Sequence, residues 1–461
     1  MSKTSNQKFT LIIATLASFF IPFMGSSVNI ALPSIGREFG MDAVSLSWVA
    51  TSFLLTSAMF LLPFGRLADI YGRKCFFTWG ILIYTVASFL SAVSTSGVAL
   101  ILFRGLQGLG GAMIFSTGIA ILISVFPFSE RGKVLGLTVS AIYLGLSIGP
   151  SIGGLLTQQF GWRFIFLIHV PVGLLIVGLI MAKLRGDWAD AKGETFDLFG
   201  SILYGFSLLA IVYGFSLLPE TIGGWIILMG GLGLLTFLTW EQKVKSPLLN
   251  MRLFQANTVF TFSNLAALIH YSTTFSVGFL LSLYLQYIKG YSPQSAGMIL
   301  IAQPVVMAFF SPYSGKLSDR MEPRIVASLG MAVTATGLFF FIGIGKETSL
   351  PMIIVNLMVL GLGFALFSSP NTNAVMSSVE KKYFGVASGI LGTMRLTGQM
   401  LSMGIAMLIF ALYIGKVQIT AAQHPLFLKS IQVAFLVFTL LCLLGILASL
   451  ARGRLRPFPP T

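Results

Sequence analysis

A chain of 461 residues that is 56% hydrophobic and only 9% charged, with a mean hydropathy of +0.90, has too little polar surface to cover a water-soluble fold of its size. Its solvent is lipid. The formal charge of +15 reads as membrane topology and contact with anionic headgroups rather than a nucleic-acid surface. Two cysteines, Cys75 and Cys442, cannot build a disulfide framework or a metal cluster.

A hydrocarbon slab of about 30 Å takes about 20 apolar residues per helix. By that measure the sequence predicts fourteen spans, at 9–32, 46–64, 76–95, 98–122, 133–157, 163–183, 197–217, 224–240, 258–287, 295–313, 325–344, 350–372, 384–413 and 430–450. The first is too long for a secretory signal and lacks a small-residue cleavage site, so it is expected to remain as a helix. With both termini cytoplasmic, most of the 29 Lys and Arg fall in inner segments, as the positive-inside rule requires. Arg104 and Arg395 fall inside spans.

Span 2 ends in Gly65-Arg66-Leu67-Ala68-Asp69-Ile70-Tyr71-Gly72-Arg73-Lys74, and span 10 ends in a second version, Gly315-Lys316-Leu317-Ser318-Asp319-Arg320-Met321-Glu322-Pro323-Arg324. A simple tandem of seven helices would put the second turn on the wrong side of the membrane. Two six-helix halves with two helices inserted between them fit the spacing. The expected organisation is therefore a first bundle at 1–184, a linker with two extra helices at 185–252 and a second bundle at 253–461. Gly108-Leu109-Gly110 against Gly361-Leu362-Gly363 is a weaker echo of the same duplication.

Further stretches carry a resemblance. These are Leu102-Phe103-Arg104-Gly105-Leu106-Gln107-Gly108 in span 4, Gly145-Leu146-Ser147-Ile148-Gly149-Pro150-Ser151-Ile152-Gly153-Gly154 in span 5, and the run from Gly161-Trp162-Arg163 through His169 to Pro171 entering span 6. With the turn after span 2, they resemble the major facilitator superfamily, and the fourteen spans resemble its drug:proton antiporter branch. The resemblance implies an all-α polytopic membrane protein, two six-helix bundles plus two inserted helices. Each half would be made of inverted three-helix repeats around a central cavity that opens alternately to each side, with the extra helices peripheral.

Several residues carry chemistry. Asp69, beside Arg66, Arg73 and Lys74, can pair locally and approach the positive N-terminal end of another helix. The resemblance makes Gly65, Arg66, Asp69, Gly72, Arg73, Lys74 and Asp319 a conformational latch, with the start of span 13, after Lys381 and Lys382, as its partner. The second copy departs from the pattern, with Glu322 and Pro323 in place of Gly72 and Arg73. A charge inside a span is a functional candidate by default, and the resemblance implies proton coupling for Arg104; snorkelling to the outer surface is the alternative. Gly145, Gly149 and Gly153 share one helix face, with Pro150 and Gly154 between and beside them, and predict close packing with a bend.

All 14 acidic residues fall in loops or at helix ends. Met24 stands where many members of the branch have an aspartate, a few residues before Asn29-Ile30-Ala31-Leu32-Pro33. The ionisable groups best placed near a cavity are thus Arg104, Arg395, His169 and His270, which favours neutral or anionic substrates; His270 is a candidate proton carrier. Candidate cavity polars are Asn29, Gln107, Asn264, Gln303, Asn356, Asn371, Arg395 and Gln399. They lie among 41 Phe and 19 Met, whose adaptable surfaces suit varied substrates.

The function expected is secondary active, proton-coupled export of amphipathic small molecules across the plasma membrane, without cofactor, metal or nucleic acid, by a monomer. The alternative is export or facilitated movement of an anionic or neutral metabolite without tight proton coupling. No nucleophile elbow, phosphate loop or metal-spaced histidine pair points to an enzyme.

Overall fold

The computed structural model describes residues 3–184, 186–249, 251–380 and 383–455. Among these described residues there are fourteen helices long and apolar enough to cross a membrane. These are span 1 (Asn6–Phe39), span 2 (Ala43–Tyr71), span 3 (Arg73–Ala92), span 4 (Gly97–Val125), span 5 (Gly136–Phe160), span 6 (Arg163–Lys183), span 7 (Leu198–Leu217), span 8 (Thr221–Glu241), span 9 (Thr258–Ile288), span 10 (Pro293–Arg320), span 11 (Pro323–Ile342), span 12 (Leu350–Ser377), span 13 (Phe384–Tyr413) and span 14 (Ala421–Ala451). Many outlast the apolar runs because, at about 1.5 Å per residue, the helices continue into the headgroup layer.

Their ends follow ordinary capping chemistry. The Asp42 carboxylate accepts from the Val44 and Ser45 amides, both at 2.9 Å, where span 2 begins. Asn257 does the same for Phe260 at span 9, satisfying amides that lack an intrahelical partner. Gly72, at φ 117°, separates spans 2 and 3, a left-handed backbone that glycine adopts without strain.

Hydropathy did not foresee the breaks. Span 6 is interrupted at Ile168, between helices Arg163–Leu167 and His169–Lys183. Span 9 breaks around Phe275 and Ser276, where the freed Ser276 amide donates to Ser402 Oγ at 3.0 Å. Polar groups released inside a membrane must find such partners.

The helices pack in two sets with one pattern. Span 1 lies on span 5, span 2 on span 4, and span 3 on spans 4 and 6; correspondingly, span 9 lies on span 13, span 10 on span 12, and span 11 on spans 12 and 14. The Gly108/Gly361 echo has a physical meaning here. A Cβ on Gly108 would stand 2.3 Å from Phe53 O of span 2, and one on Gly361 would stand 2.4 Å from Gln303 O of span 10. Each half uses its glycine to bring the same two backbones together.

The halves meet along span 5 with span 10, span 2 with span 13, and span 1 with span 9. At the end remote from the termini this seam is closed by hydrogen bonds: Ser282 Oγ to Asn29 O at 2.7 Å, Gln286 Nε2 to Ile30 O at 2.9 Å, and Gln418 Nε2 to Gly40 O at 2.7 Å.

Of the two inserted helices only span 8 is peripheral as expected, leaning on span 7. Span 7 itself packs against spans 2 and 13, across the seam. Its Tyr204 is buried, and its Phe215 lies against Gly404 of span 13.

Candidate functional site

The turn between spans 2 and 3 is held by the segment that leads into the inserted helices. Arg73 pairs with Asp69 at 2.7 Å and with Asp190 at 2.8 Å, and donates to Ser124 Oγ of span 4 at 2.8 Å. Arg66 pairs with Glu194. Lys74 Nζ donates to Leu184 O at 2.6 Å, and the Asp69 carbonyl accepts from the Ala191 amide at 2.9 Å. A Cβ on Gly72 would lie 2.3 Å from Asp187 Oδ2, so glycine is required for this docking as well as for the turn. Gly65 lies near Ser116 of span 4. The basic turn thus faces a complementary acidic segment at the start of the linker, a partnership not anticipated from the sequence. Lys381 and Lys382, which precede the expected partner at the start of span 13, lie outside the described residues. In the second copy, Asp319 Oδ1 and Ser318 Oγ accept from Asn373 Nδ2 at 3.2 and 3.0 Å, again joining a turn to the fourth helix of its half.

Span 5 works on two sides. A Cβ on Gly145 would stand 2.4 Å from Phe19 O, and one on Gly149 or Gly153 would collide with Ser26 or Ser27 of span 1. On another side it touches the second half: a Cβ on Gly154 would be 2.4 Å from Pro293 O, and one on Gly297 would be 2.0 Å from Pro150 O. The close packing expected of this motif therefore includes the seam between halves.

Near mid-membrane five spans from both halves converge. Tyr143 Oη of span 5 lies 3.2 Å from Ser368 Oγ of span 12, and Tyr143 packs with Tyr271, Met307 and Phe364. The Arg395 guanidinium sits 5.7 Å from the centre of the Tyr271 ring and donates to Thr372 Oγ1. Its buried Nε has no hydrogen-bond partner. The cluster offers flat π-faces, hydroxyls and one incompletely bonded cation, a combination that can hold a planar molecule rich in acceptors.

Arg104 does not snorkel. It is 2% exposed, donates from Nε to Val49 O at 3.0 Å, bonds the Gln107 side chain and lies 4.7 Å from the centre of the Phe53 ring. Gln107 passes the chain on to Ser88 Oγ at 2.7 Å. His270 is fully buried and stacked on Phe367 at 4.0 Å, with neither ring nitrogen hydrogen-bonded. His169 bonds Ile165 O at 2.8 Å at the break in span 6.

The remaining polar candidates are scattered. Asn29 and Asn264 are held in spans 1 and 9, Asn264 by its own helix at Phe260 O. Asn356 bonds Gly337 O at 2.8 Å between spans 12 and 11. Asn371 bonds Ser263 O and accepts from Arg452 Nη1 at 3.0 Å. Gln303 and Gln399 are half-buried. Arg452 is 1% exposed and ties the end of span 14 to spans 9 and 12.

The model of the Major Facilitator Superfamily matches residues 14–262 and again 263–461. The chain belongs to the major facilitator superfamily. This facilitator is 30% identical over 388 residues to the riboflavin transporter RibZ of Clostridioides difficile, covering 84% of each chain. It is 29% identical to the multidrug resistance protein Stp of Mycobacterium tuberculosis over 87% of its own length and 75% of that protein's. The solved peptide transporter POT, in complex with alafosfalin, superposes with a TM-score of 0.70 at 14% identity, covering 96% of this chain and 98% of that one; at that identity the likeness speaks for the fold alone. The facilitator is a multi-pass membrane transporter of the two-bundle fold with two inserted helices, and not an enzyme.

Proposed function

We propose that this facilitator is a proton-driven exporter of flat amphipathic small molecules in the plasma membrane, working by alternating access with both termini in the cytoplasm. The carrying observation is the seam. Its far end is closed by hydrogen bonds between the halves, while its middle gathers Tyr143, Tyr271, Met307, Phe364 and Arg395 from both sides. A group of side chains divided between two rocking bodies binds in one state and lets go in another. Relatives named as multidrug resistance and export proteins support the reading. Coupling would involve Arg104 and His270, and the Asp69 turn and Asp319 would brace the terminus-side end.

One observation favours the second reading, movement of an anionic or neutral metabolite without tight coupling. The site has Arg395 as its charge, and Met24 occupies the place where a cation-binding aspartate could stand. The name of RibZ points to a planar heterocycle of that kind.

Everted vesicles containing wild type or Arg395→Gln, given matched planar cations, neutral molecules and anions, test both readings. Preference for neutral or anionic planar substrates, reduced at least tenfold for anions by the substitution, supports the site. Equal handling of all three by both proteins removes Arg395 from it.

A further inference from the structure

The foot of the two inserted helices holds a pair of acids that the proposed transport does not use. Asp197 caps span 7, accepting from the Gly200 amide at 2.9 Å through Oδ1 and from Trp240 Nε1 at 3.0 Å through Oδ2. Glu241 ends span 8 and is 2% exposed; its Oε2 accepts from the Leu249 amide at 2.8 Å. Its Oε1 is buried with no hydrogen-bond partner, and its carboxyl group lies against the Asp197 side chain. A Cβ on Gly200 would fall 2.2 Å from Asp197 Oδ2 and 2.9 Å from Glu241 Oε1, so both carboxyl groups converge over that glycine. Two acceptors cannot bond each other unless one carries a hydrogen, and two buried negative charges in contact repel strongly where water does not screen them.

We infer that Asp197 and Glu241 form a proton-binding site, sharing one proton at the foot of spans 7 and 8. Asp197 is the titratable group in contact with Glu241. Around it among the described residues, Glu194 is engaged by Arg66 of span 2 and by Ser246, and Lys243 and Lys245 are exposed. Among the described residues, no cation forms an ion pair with either carboxylate. The site has a mechanical consequence because Glu241 anchors residues 242–249, the strand of chain that leads into the second half, through Leu249. Loss of the proton drives the carboxylates apart and releases that anchor. Span 7, whose first turn Asp197 caps, lies on the seam, so protonation on the terminus side biases how the halves are tied together. This inference does not depend on proton-driven export.

The test uses the full-length protein in lipid nanodiscs. Infrared difference spectroscopy at neutral pH should show the carbonyl stretch of a protonated carboxylic acid, shifted in heavy water and absent from Glu241→Gln. In parallel, tryptic cleavage after Lys243 and Lys245 should accelerate in wild type as pH rises, by up to about tenfold per unit for a one-proton switch. It should not do so in Glu241→Gln, whose amide supplies the missing hydrogen at every pH; normalising to that variant removes the protease's own pH response. An absent carbonyl band in wild type, cleavage with the same pH profile in both proteins, or an anchor restored at high pH by a metal cation would each overturn the inference.

Discussion

Gly297→Ala isolates the seam from the folding of either half. The new Cβ would stand 2.0 Å from Pro150 O and 2.8 Å from its carbonyl carbon. Ordinary contact begins near 3.4 Å, so spans 5 and 10 must part by more than about 1 Å to accept one methyl group. Overpacking of this size costs about 1–3 kcal/mol. Because the contact joins two bodies, that cost falls on the closed arrangement and is largely absent once the halves separate, which shifts the equilibrium roughly 5- to 150-fold toward the arrangement open at that end. Gly178→Ala, on span 6 with nothing within 4 Å of its Cβ, is the matched control. Spin labels at the exposed positions Phe160 and Met298, in a background with the exposed Cys75 replaced by Ser, report the separation by electron–electron resonance. The distribution should move to longer distances in Gly297→Ala and stay at the wild-type position in Gly178→Ala. An unchanged distribution in correctly folded Gly297→Ala would refute the reasoning, since the seam would then tolerate the methyl group without opening.

Three further outcomes follow from the packing. Arg452→Ala strands Asn371 Oδ1, at about 1–3 kcal/mol for a buried group left unpaired, while Ser449 Oγ keeps Ser328 Oγ; thermal denaturation in detergent should show the loss, and Lys at this position should restore little because it lacks the planar fork. Arg104→Ala breaks the chain from Val49 O through Gln107 to Ser88 and should abolish gradient-driven transport while equilibrium binding of substrate stays within about threefold; loss of binding instead would place Arg104 in the recognition site. Arg73→Ala frees Asp69 and Asp190, pairs exposed enough to contribute about 1 kcal/mol or less each, so expression and melting should change little while transport slows.

Much of the fold could be read from the sequence because one-dimensional hydropathy is what a bilayer selects. The fourteen spans, the repeated turn and the Gly108/Gly361 echo all report local properties of the chain. What escaped depends on partners. Arg452 follows the last apolar run like an ordinary inner-segment charge, and nothing in its neighbourhood shows that Asn371 and Ser263 would reach it from 81 and 189 residues away. Asp187, Asp190 and Glu194 read as a polar linker, although their signs match Arg66, Arg73 and Lys74; complementary charge was the available signal. Of the polar residues chosen for a cavity, Gln107, Asn356 and Asn371 bond within or between helices of their own half. Tyr143 and Met307, which look like ordinary lipid-facing residues in sequence, lie on the seam because spans 5 and 10 cross there. Arg395 stands out in the sequence because a charge deep in a span is rare enough to be informative alone.

The most direct test of the account is transport by the purified protein in liposomes, with a fluorescent planar amphiphile outside and a pH gradient imposed in either direction. Accumulation that follows the gradient, reverses with its sign and collapses with a protonophore is the predicted result. Equilibration at the same rate with the gradient present, reversed or absent would contradict proton-driven export and leave a facilitator of the same fold.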